Sequence, residues 1–264
     1  MFSIIILAII QGITEFLPIS SSFHLIIFRD IFLVGQNIIN ENIELTFDIA
    51  LHLGTALAII VYFFKDFLNI FIDGIKRKNN VLLNIIFATI PTAIIGFLLE
   101  EKVENFIRNK YLLITLIFIL IGIIIYLIDK FAKNNKRIED MKIKDAILIG
   151  CSQVLALIPG FSRSGTTIIG ARILKINIED AAKFSFYLSV PVVLGALLIQ
   201  LLKVDLSIII ENISVFIMGI FISFIVGLLC IKHLLKYLKN NDFKIFMWYR
   251  IVFGILILID LLMR

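Results

Sequence analysis

Six long apolar runs constrain the fold of this chain more than any other feature of its sequence. A helix that crosses a bilayer needs about 20 mostly apolar residues. Runs of that kind lie at roughly 47–64, 81–99, 111–128, 184–202, 210–231 and 245–262. Because these runs are spread evenly from end to end, the sequence predicts an all-α polytopic membrane protein whose residues 1–264 form a single domain.

The composition agrees with this fold class. Of the 264 residues, 60% are hydrophobic, and the mean hydropathy is +1.05. A soluble domain has only about 45–50% apolar residues, even when glycine is counted, so lipid must cover part of this surface. The net charge of +5 comes from basic residues in the short loops between the apolar runs, and we therefore expect no nucleic-acid partner.

Two further apolar segments, roughly 3–28 and 146–172, are interrupted in mid-course. The first contains Pro18 and the second contains Pro159 followed by Gly160. Proline removes a backbone donor and clashes with the preceding helical turn. Each segment is therefore predicted to enter the membrane, break and return as a re-entrant pair of half-helices.

Loop charges predict how the spans are oriented. Positive residues favour the cytoplasmic side. Seventeen Lys and Arg residues fall in one set of alternating loops, and six fall in the opposite set together with the C-terminus. The basic set comprises 65–80, 129–145, 172–183 and 232–244. With that set inside, both termini face outward, the first broken segment enters from outside, and the second enters from the cytoplasm.

The two broken segments also resemble each other in sequence. Gln11 lies seven residues before Pro18, Gln153 lies six before Pro159, and serines follow both prolines. The glycine of a Leu-Gly pair stands 36 residues after each proline. Chance matching in an apolar chain of low complexity is the alternative. Read with the opposed entry, the spacing favours an inverted-topology repeat, which places a site at mid-membrane between broken helices.

The first broken segment reads QGITEFLPISSSFH from Gln11 to His24. Gln11 and Glu15 are four residues apart and share a helix face. A carboxylate at the bilayer centre costs about 2.5–3.5 kcal/mol, so Glu15 must face a polar cavity or a partner. Ser21, Ser22 and His24 add hydroxyl nucleophiles and a titratable imidazole. Each group also has a structural interpretation, since serines satisfy broken backbone and a lone histidine is often only hydrogen-bonded.

The second broken segment reads PGFSRSGTT over residues 159–167. Hydroxyls and free N–H groups at a restarting helix can surround an anion, and Arg163 carries a charged fork suited to phosphate oxygens. The candidate anion-binding residues are Ser162, Arg163, Ser164, Gly165 and Thr167. Arg163 could instead simply neutralise Glu15, but that explains only one charge pair. The two segments together predict a mid-membrane pocket for the headgroup of a phosphorylated lipid.

Three polar residues outside the two broken segments also have candidate roles. Asp48 and His52 lie four apart at the start of a span, where a link to a metal and simple hydration of a helix end are equally plausible. Arg250 follows Trp248 and Tyr249. That aromatic setting predicts an anchor at the membrane interface.

These motifs resemble those of the undecaprenyl-pyrophosphate phosphatases of the bacitracin-resistance (BacA) type. The resemblance covers nearly the whole chain and is carried by QGITEFLPISS (11–21) with His24 and by QVLALIPGFSRSGTT (153–167). FDIALHLGT (47–55) and FSFYLSVP (184–191) are similar too. Two positions depart from the family pattern: Phe23 stands where a small residue is typical, and Gln11 stands where many members have glutamate.

The resemblance implies hydrolysis of the C55 lipid pyrophosphate to the monophosphate carrier of cell-wall synthesis, on the outer face of the bacterial inner membrane. It implies a divalent cation, Mg²⁺ or Ca²⁺, and competition by bacitracin, which binds the substrate. A homodimer is compatible with it. Carried over residue by residue, it implies catalytic roles for Glu15, His24, Arg163 and Ser21, metal contacts from Glu15 and Gln11, and substrate contacts from Ser162, Thr167 and Gln11. Ser164, Gly165 and Ser22 are further predicted substrate contacts, on the chemistry of the two segments themselves.

A transporter is the competing functional class. Inverted repeats with broken helices are typical of secondary transporters, and a carrier for a lipid phosphate or a small anion would also need the cradle around Arg163. The cluster of Glu15 and His24 favours an enzyme, because a carrier has less need of an acid, a base and a nucleophile. A combined role, in which the protein cleaves and moves the headgroup, is a further alternative.

Overall fold

The computed structural model describes residues 1–35, 39, 41–107 and 109–264. These residues form α-helices joined by short turns, with no strand among them. The helices are α1 (Phe2–Thr14), α2 (Ser21–Ile26), α3 (Glu41–Tyr62), α4 (Phe64–Ile75), α5 (Val81–Ile107), α6 (Tyr111–Phe131), α7 (Ile143–Val154), α8 (Arg163–Ile173), α9 (Ile178–Lys203), α10 (Leu206–Glu211), α11 (Ile213–Leu238) and α12 (Lys244–Met263).

Six of the helices are long and apolar enough to cross a membrane, which confirms the predicted number of spans. These candidate spans are Ile43–Tyr62, Val81–Leu99, Tyr111–Phe131, Ile178–Lys203, Ile213–Leu238 and Lys244–Met263. Large apolar side chains such as Leu198 and Phe221 are exposed on their outer faces. Such a surface is suited to lipid, so the chain is a multi-pass all-α membrane protein.

Both broken segments have the same local structure. The first consists of α1, a turn and α2; the second consists of α7, a short 3-10 turn at Leu155–Leu157, and α8. Each restart is capped by a serine with positive φ, Ser20 at 66° and Ser162 at 74°. Because residues other than glycine rarely adopt this conformation, the same strained cap at matching positions supports an internal repeat.

Helices from opposite halves of the chain hold the two broken segments. A Cβ atom added at Gly12 of α1 would lie 2.7 Å from Cβ of Val226 in α11. One added at Gly150 of α7 would lie 2.2 Å from the carbonyl oxygen of Ala88 in α5. The first segment therefore packs tightly on a late helix and the second on an early helix, so the two halves interlock.

Three candidate spans, in α3, α5 and α6, separate the two broken segments. If each segment returns to the side from which it came, an odd number of crossings places their entry points on opposite sides. One buried apolar cluster packs against both segments, since it includes Phe16 of the first break and Ile168 of α8. Phe16 makes an edge contact with Phe186 of α9 at a centroid distance of 5.4 Å.

Candidate active site

The first break holds a buried carboxylate in a hydrogen-bonded cluster. Glu15, immediately after α1, is 6% exposed. Its Oε2 atom accepts hydrogen bonds from Gln11 Nε2 at 2.9 Å and from Ser21 Oγ at 2.7 Å. His52 of α3 places Nδ1 3.1 Å from the same oxygen. Ser21 therefore directs its proton at a carboxylate that two other groups hold in place.

The second break reaches the first through two direct contacts. The Arg163 guanidinium forms an ion pair with Oε1 of Glu15 and also donates to the backbone oxygen of Ser189 at 3.3 Å. Ser164 Oγ donates to the carbonyl oxygen of Leu17 at 3.1 Å. The charge pair considered in the sequence analysis is thus present, and it joins the two halves of the repeat.

A cavity of about 270 Å³ opens beside this pair. Of the predicted site residues, it is lined by Glu15, Ser21, Ser22, Ser162 and Arg163. Its remaining wall is mostly apolar and includes Leu25, Ile49, Leu157, Val192, Val193 and Ala196. A cavity that combines charged and polar side chains with apolar ones can accept an anionic headgroup together with the first part of a hydrocarbon tail.

Four predicted binding residues lie behind the cavity lining. Gln11 reaches the cavity lining through its contacts with Glu15 and His52, and Ser164 faces the first break. The backbone N–H of Gly165 donates to the capping Ser162 Oγ at 3.1 Å. Thr167 Oγ1 donates to the carbonyl oxygen of Arg163 at 2.9 Å. Ser164, Gly165 and Thr167 thus shape the start of α8, Gln11 supports Glu15, and none of the four lines the cavity in this conformation.

His24 also lies outside the cavity lining, which differs from the expected shared pocket with Glu15. Its Nδ1 lies 2.8 Å from the carbonyl oxygen of Ser20, and its Nε2 lies 2.7 Å from the hydroxyl of Tyr249. The ring stacks on Phe253 of α12 at a centroid distance of 5.2 Å. Since α2 begins at Ser21, His24 lies at the end of the first helical turn and points toward α12. Its catalytic role stays a prediction.

Several cavity residues were missed or left open by the sequence analysis. His52 supplies the imidazole that lines the cavity, and Gln153 and Thr92 line the opposite part. Gln153 Nε2 donates to Thr92 Oγ1 at 2.9 Å, while Gln153 Oε1 is buried without a hydrogen bond. The matching positions of Gln11 and Gln153 in the repeat were the available signal, but only the first was assigned to the site.

Arg29 forms a second buried charge cluster at the cavity lining. Its guanidinium is 2.8 Å from Asp48 Oδ1 and 2.5 Å from Glu44 Oε1, with the side chain 4% exposed. Burial would lower the pKa of Arg29, but Asp48, Glu44 and Asp30 together outweigh burial and raise the pKa above its usual value. Arg29 therefore stays charged. Arg29 is the only Lys or Arg before Lys65, and this isolation is a sequence signal for a special role.

The interpretation of Arg250 as an interfacial anchor is wrong. The side chain is completely buried, although Trp248 and Tyr249 beside it are exposed. It donates to the carbonyl oxygens of Phe118, Pro18 and Gly160. Gly122 of α6 makes room for it, since a Cβ there would lie 2.8 Å from Arg250 Cδ. The aromatic neighbours indicated an interface, but the packing of α12 on α6 turns the arginine inward.

The oxygen donors of the cavity suit a hard divalent cation that is shared with a phosphate. The described residues contain no group of three or more His, Cys, Asp or Glu side chains able to hold a metal by themselves. They do offer the Glu15 carboxylate and the buried, unbonded amide oxygen of Gln153 in the lining, with the unbonded amide oxygen of Gln11 directly behind Glu15. Mg²⁺ is commonly bound by one or two carboxylates with the remaining ligands from substrate phosphates and water. The donor set fits that pattern.

Comparison with known proteins identifies the family. Residues 4–256 match the family described as "Bacitracin resistance protein BacA". The chain belongs to the BacA family. The match spans both broken segments and all six candidate spans except the end of α12.

Similar BacA-family proteins carry the name undecaprenyl-diphosphatase. The protein of that name from Caldicellulosiruptor bescii is 45% identical over 100% of this chain and 98% of its own length. The one from Desulforudis audaxviator is 40% identical with the same coverage. The one from Thermodesulfovibrio yellowstonii is 40% identical over 95% of this chain and 93% of its own.

Proposed function

We infer that this BacA-family protein is an enzyme that hydrolyses undecaprenyl pyrophosphate to undecaprenyl phosphate and inorganic phosphate. The reaction returns the lipid carrier to cell-wall synthesis. One cavity brings together Ser21, Glu15 and Arg163, a hydroxyl, a carboxylate and a permanent cation, and this convergence carries the inference. The names of full-length relatives agree with it.

The second break binds the terminal phosphate in this proposal. Arg163 and Ser162 line the cavity at the N-terminus of α8, where the helix dipole favours an anion. Phosphoryl transfer depends mainly on positioning and on neutralising charge. The phosphate takes over the Arg163 guanidinium from Glu15 when the substrate enters. The tail of the bound lipid extends from the headgroup along the apolar side chains of the cavity lining.

Ser21 is the nucleophile of the proposed reaction. Its Oγ forms a bond to the terminal phosphorus, the bridging P–O bond breaks, and undecaprenyl phosphate leaves with the electron pair. The Ser21 proton passes to Glu15, whose Oε2 already accepts it at 2.7 Å. A water molecule then cleaves the phosphoserine and releases inorganic phosphate. Direct attack by water on the diphosphate is the alternative route, with Glu15 as the base.

A divalent cation, Mg²⁺ or Ca²⁺, is the proposed cofactor. Glu15 would hold it, with an amide oxygen of Gln11 or Gln153 in support. When bound, the cation neutralises negative charge on the diphosphate. Because Gln11 has no ionisable group, the carboxylate of Glu15 is the only charged protein ligand in this set.

Phosphate release tests the function. Purified protein in detergent is given a prenyl pyrophosphate with Mg²⁺ or Ca²⁺, and again after chelation, beside Glu15→Ala and Arg163→Ala. We expect release that needs the cation and is lost in both variants. If folded wild-type protein binds the lipid but releases no phosphate, the enzyme assignment falls and a carrier is the working hypothesis.

Trapping distinguishes the two chemical routes. A substrate labelled in the terminal phosphate is mixed with enzyme and quenched in acid, and Ser21→Ala serves as the control. Label on Ser21 supports the phosphoserine route. Hydrolysis by Ser21→Ala within about tenfold of wild type would instead assign the attack to water.

The proposed location is the bacterial inner membrane, with both termini and the cavity mouth outside. The excess of basic residues in one set of loops supports this orientation. In a background of Cys151→Ser and Cys230→Ser, a membrane-impermeant maleimide added to intact cells should label Asp205→Cys and spare Asn79→Cys. The opposite pattern would invert the topology.

Two finer partner proposals follow from this function. Bacitracin competes by binding the substrate, so added bacitracin should be overcome by excess lipid without a change in kcat. A homodimer stays a prediction, which sedimentation in detergent can test.

The architecture also gives reason to test lipid movement. Broken helices in a repeat with opposed entry are typical of transporters. In proteoliposomes, Ser21→Ala should not hydrolyse the lipid. Movement of undecaprenyl phosphate between leaflets by that variant would support a second activity, and its absence would leave hydrolysis alone.

A further inference from the structure

Arg250 of α12 is a buried charge whose hydrogen bonds all end on backbone. Its Nε donates to the carbonyl oxygen of Phe118 at 2.6 Å, Nη1 to that of Pro18 at 2.9 Å, and Nη2 to that of Gly160 at 2.5 Å. The side chains that the structure describes include no carboxylate within ion-pair distance of it. Its guanidinium also lies over the Phe118 ring, 4.6 Å from the centroid.

Such an arrangement is costly and therefore calls for a physical reason. A charged side chain within a membrane protein is expensive unless it is fully hydrogen-bonded. A broken helix, for its part, leaves carbonyl groups that no intrahelical donor can reach. The planar guanidinium has donors fixed in a fork, so it can satisfy carbonyl groups from separate segments at once.

The two breaks are held at matching positions. Pro18 lies two residues before the Ser20 cap and three before Ser21; Gly160 lies two before the Ser162 cap and three before Arg163. Gly160 has a φ of 97°, so this carbonyl direction depends on glycine. One side chain therefore ties together the two points from which the nucleophile and the phosphate-binding arginine project.

We propose that Arg250 is a positioning residue that sets the spacing between Ser21 and Arg163 by fixing both breaks to α6 and α12. Arg250 is not among the described residues that line the cavity, so it acts through the backbone and touches no substrate. Its effect on rate rests on the proposed function, whereas its effect on the two breaks does not.

Arg250→Lys is the main test, since an ammonium group keeps the charge but lacks the planar fork. A small displacement of reacting groups can cost about 100-fold in rate, so we expect kcat per folded molecule to fall by about that factor. KM should change less than about threefold, because the Arg163 site itself is retained. Arg172→Lys is the matched control: Arg172 is also buried, but it lies in the last turn of α8, at the opposite end from the break, and pairs with Asp129. It should lower thermal stability and leave kcat unchanged.

Hydrogen exchange gives a readout that is independent of activity. In Arg250→Lys, exchange should rise together in peptides covering 15–24 and 158–166, and the peptides of α3 and α9 should stay protected. Exchange that rises at one break only, or kcat that remains at the wild-type value, overturns the proposal. Should wild-type protein show no phosphatase activity, the exchange result still decides whether Arg250 fixes both breaks.

A second variant pair protects the test against loss of folding. Gly122→Ala places a methyl group against Arg250 Cδ, whereas Gly254→Ala places one 2.4 Å from Ile119 Cγ1 on the same helix interface. Both crowd α6 and α12, but only the first places its methyl group directly against the Arg250 side chain. We expect reduced kcat for Gly122→Ala and near-normal kcat for Gly254→Ala at equal stability. Equal kcat in both contradicts the proposal.

Discussion

The two broken segments share a backbone design and differ in charge. In both, a half-helix ends, a turn follows, and a serine with positive φ caps the next half-helix. The first places Glu15 at the turn, and the second places Arg163 directly after the cap. The repeat thus explains how two polar turns come to lie inside a membrane. The difference between them provides the proposed chemistry. The Glu15 carboxylate faces the Arg163 guanidinium, whereas two identical charges at these turns would repel each other.

The strongest test of this asymmetry exchanges the two charges. Glu15→Gln and Arg163→Gln should each lower kcat/KM by about 10³-fold or more, the scale found when a group that stabilises transition-state charge is removed. The double exchange, Glu15→Arg with Arg163→Glu, restores an ion pair and should restore folding. It should not restore activity, because the proposed nucleophile Ser21 would then face an arginine. Phosphate release and thermal unfolding measure the two effects separately.

The same experiment decides whether the pair is only structural. If kcat/KM of the exchanged protein is more than about tenfold higher than that of the single variants, the pair serves mainly to neutralise charge. The proposed roles of Glu15 and Arg163 are then wrong.

Glycines at equivalent positions provide the next comparison. Gly54 and Gly195 each stand 36 residues after the proline of their segment. A Cβ at Gly54 would lie 2.0 Å from Ser223 Oγ and 2.4 Å from the backbone oxygen of Ile220, whereas one at Gly195 would meet nothing within 4 Å. Gly54→Ala should therefore destabilise the protein by about 1–3 kcal/mol or more through overpacking. Gly195→Ala should be neutral or stabilise by up to about 1 kcal/mol through helix propensity.

Thermal unfolding in detergent measures this pair. Similar losses of stability in both variants would mean that a further helix or subunit packs on α9 as α11 packs on α3, and the predicted homodimer would then gain support.

The course of the backbone could be predicted from the sequence, whereas the directions of several side chains could not. Spans and breaks follow from hydrophobicity and from Pro18 and Pro159, which act locally, so their prediction was confirmed. The pairing of Glu15 with Arg163 was foreseeable because a buried charge needs a partner. Side-chain direction was not foreseeable, since a helix that restarts one residue earlier or later turns each side chain by about 100°.

Two residues illustrate that limit. His24 was expected beside Glu15, but the restart at Ser21 directs it to Tyr249, and His52 from α3 takes the place beside the carboxylate. Arg250 has neighbours typical of an interface, and its inward direction depends on the space left by Gly122 on another helix. Both outcomes are set by tertiary packing, which no local pattern contains.

The smallest predicted effects come from variants of the capping serines, Ser20 and Ser162. Their stabilities report backbone strain, and their KM values report contact with substrate. Ser20→Ala removes the cap but keeps a side chain in a positive-φ conformation, so it should cost about 1–2 kcal/mol of stability. Ser20→Gly also loses the cap but relieves the strain, so it should lie within about 0.5 kcal/mol of wild type. Ser162 should repeat this order in thermal unfolding. Because Ser162 lines the cavity and Ser20 does not, only the Ser162 variants should also raise KM. A rise in KM for Ser20→Gly equal to that for Ser162→Gly would show that both caps act through the backbone, and Ser162 would lose its proposed contact with phosphate.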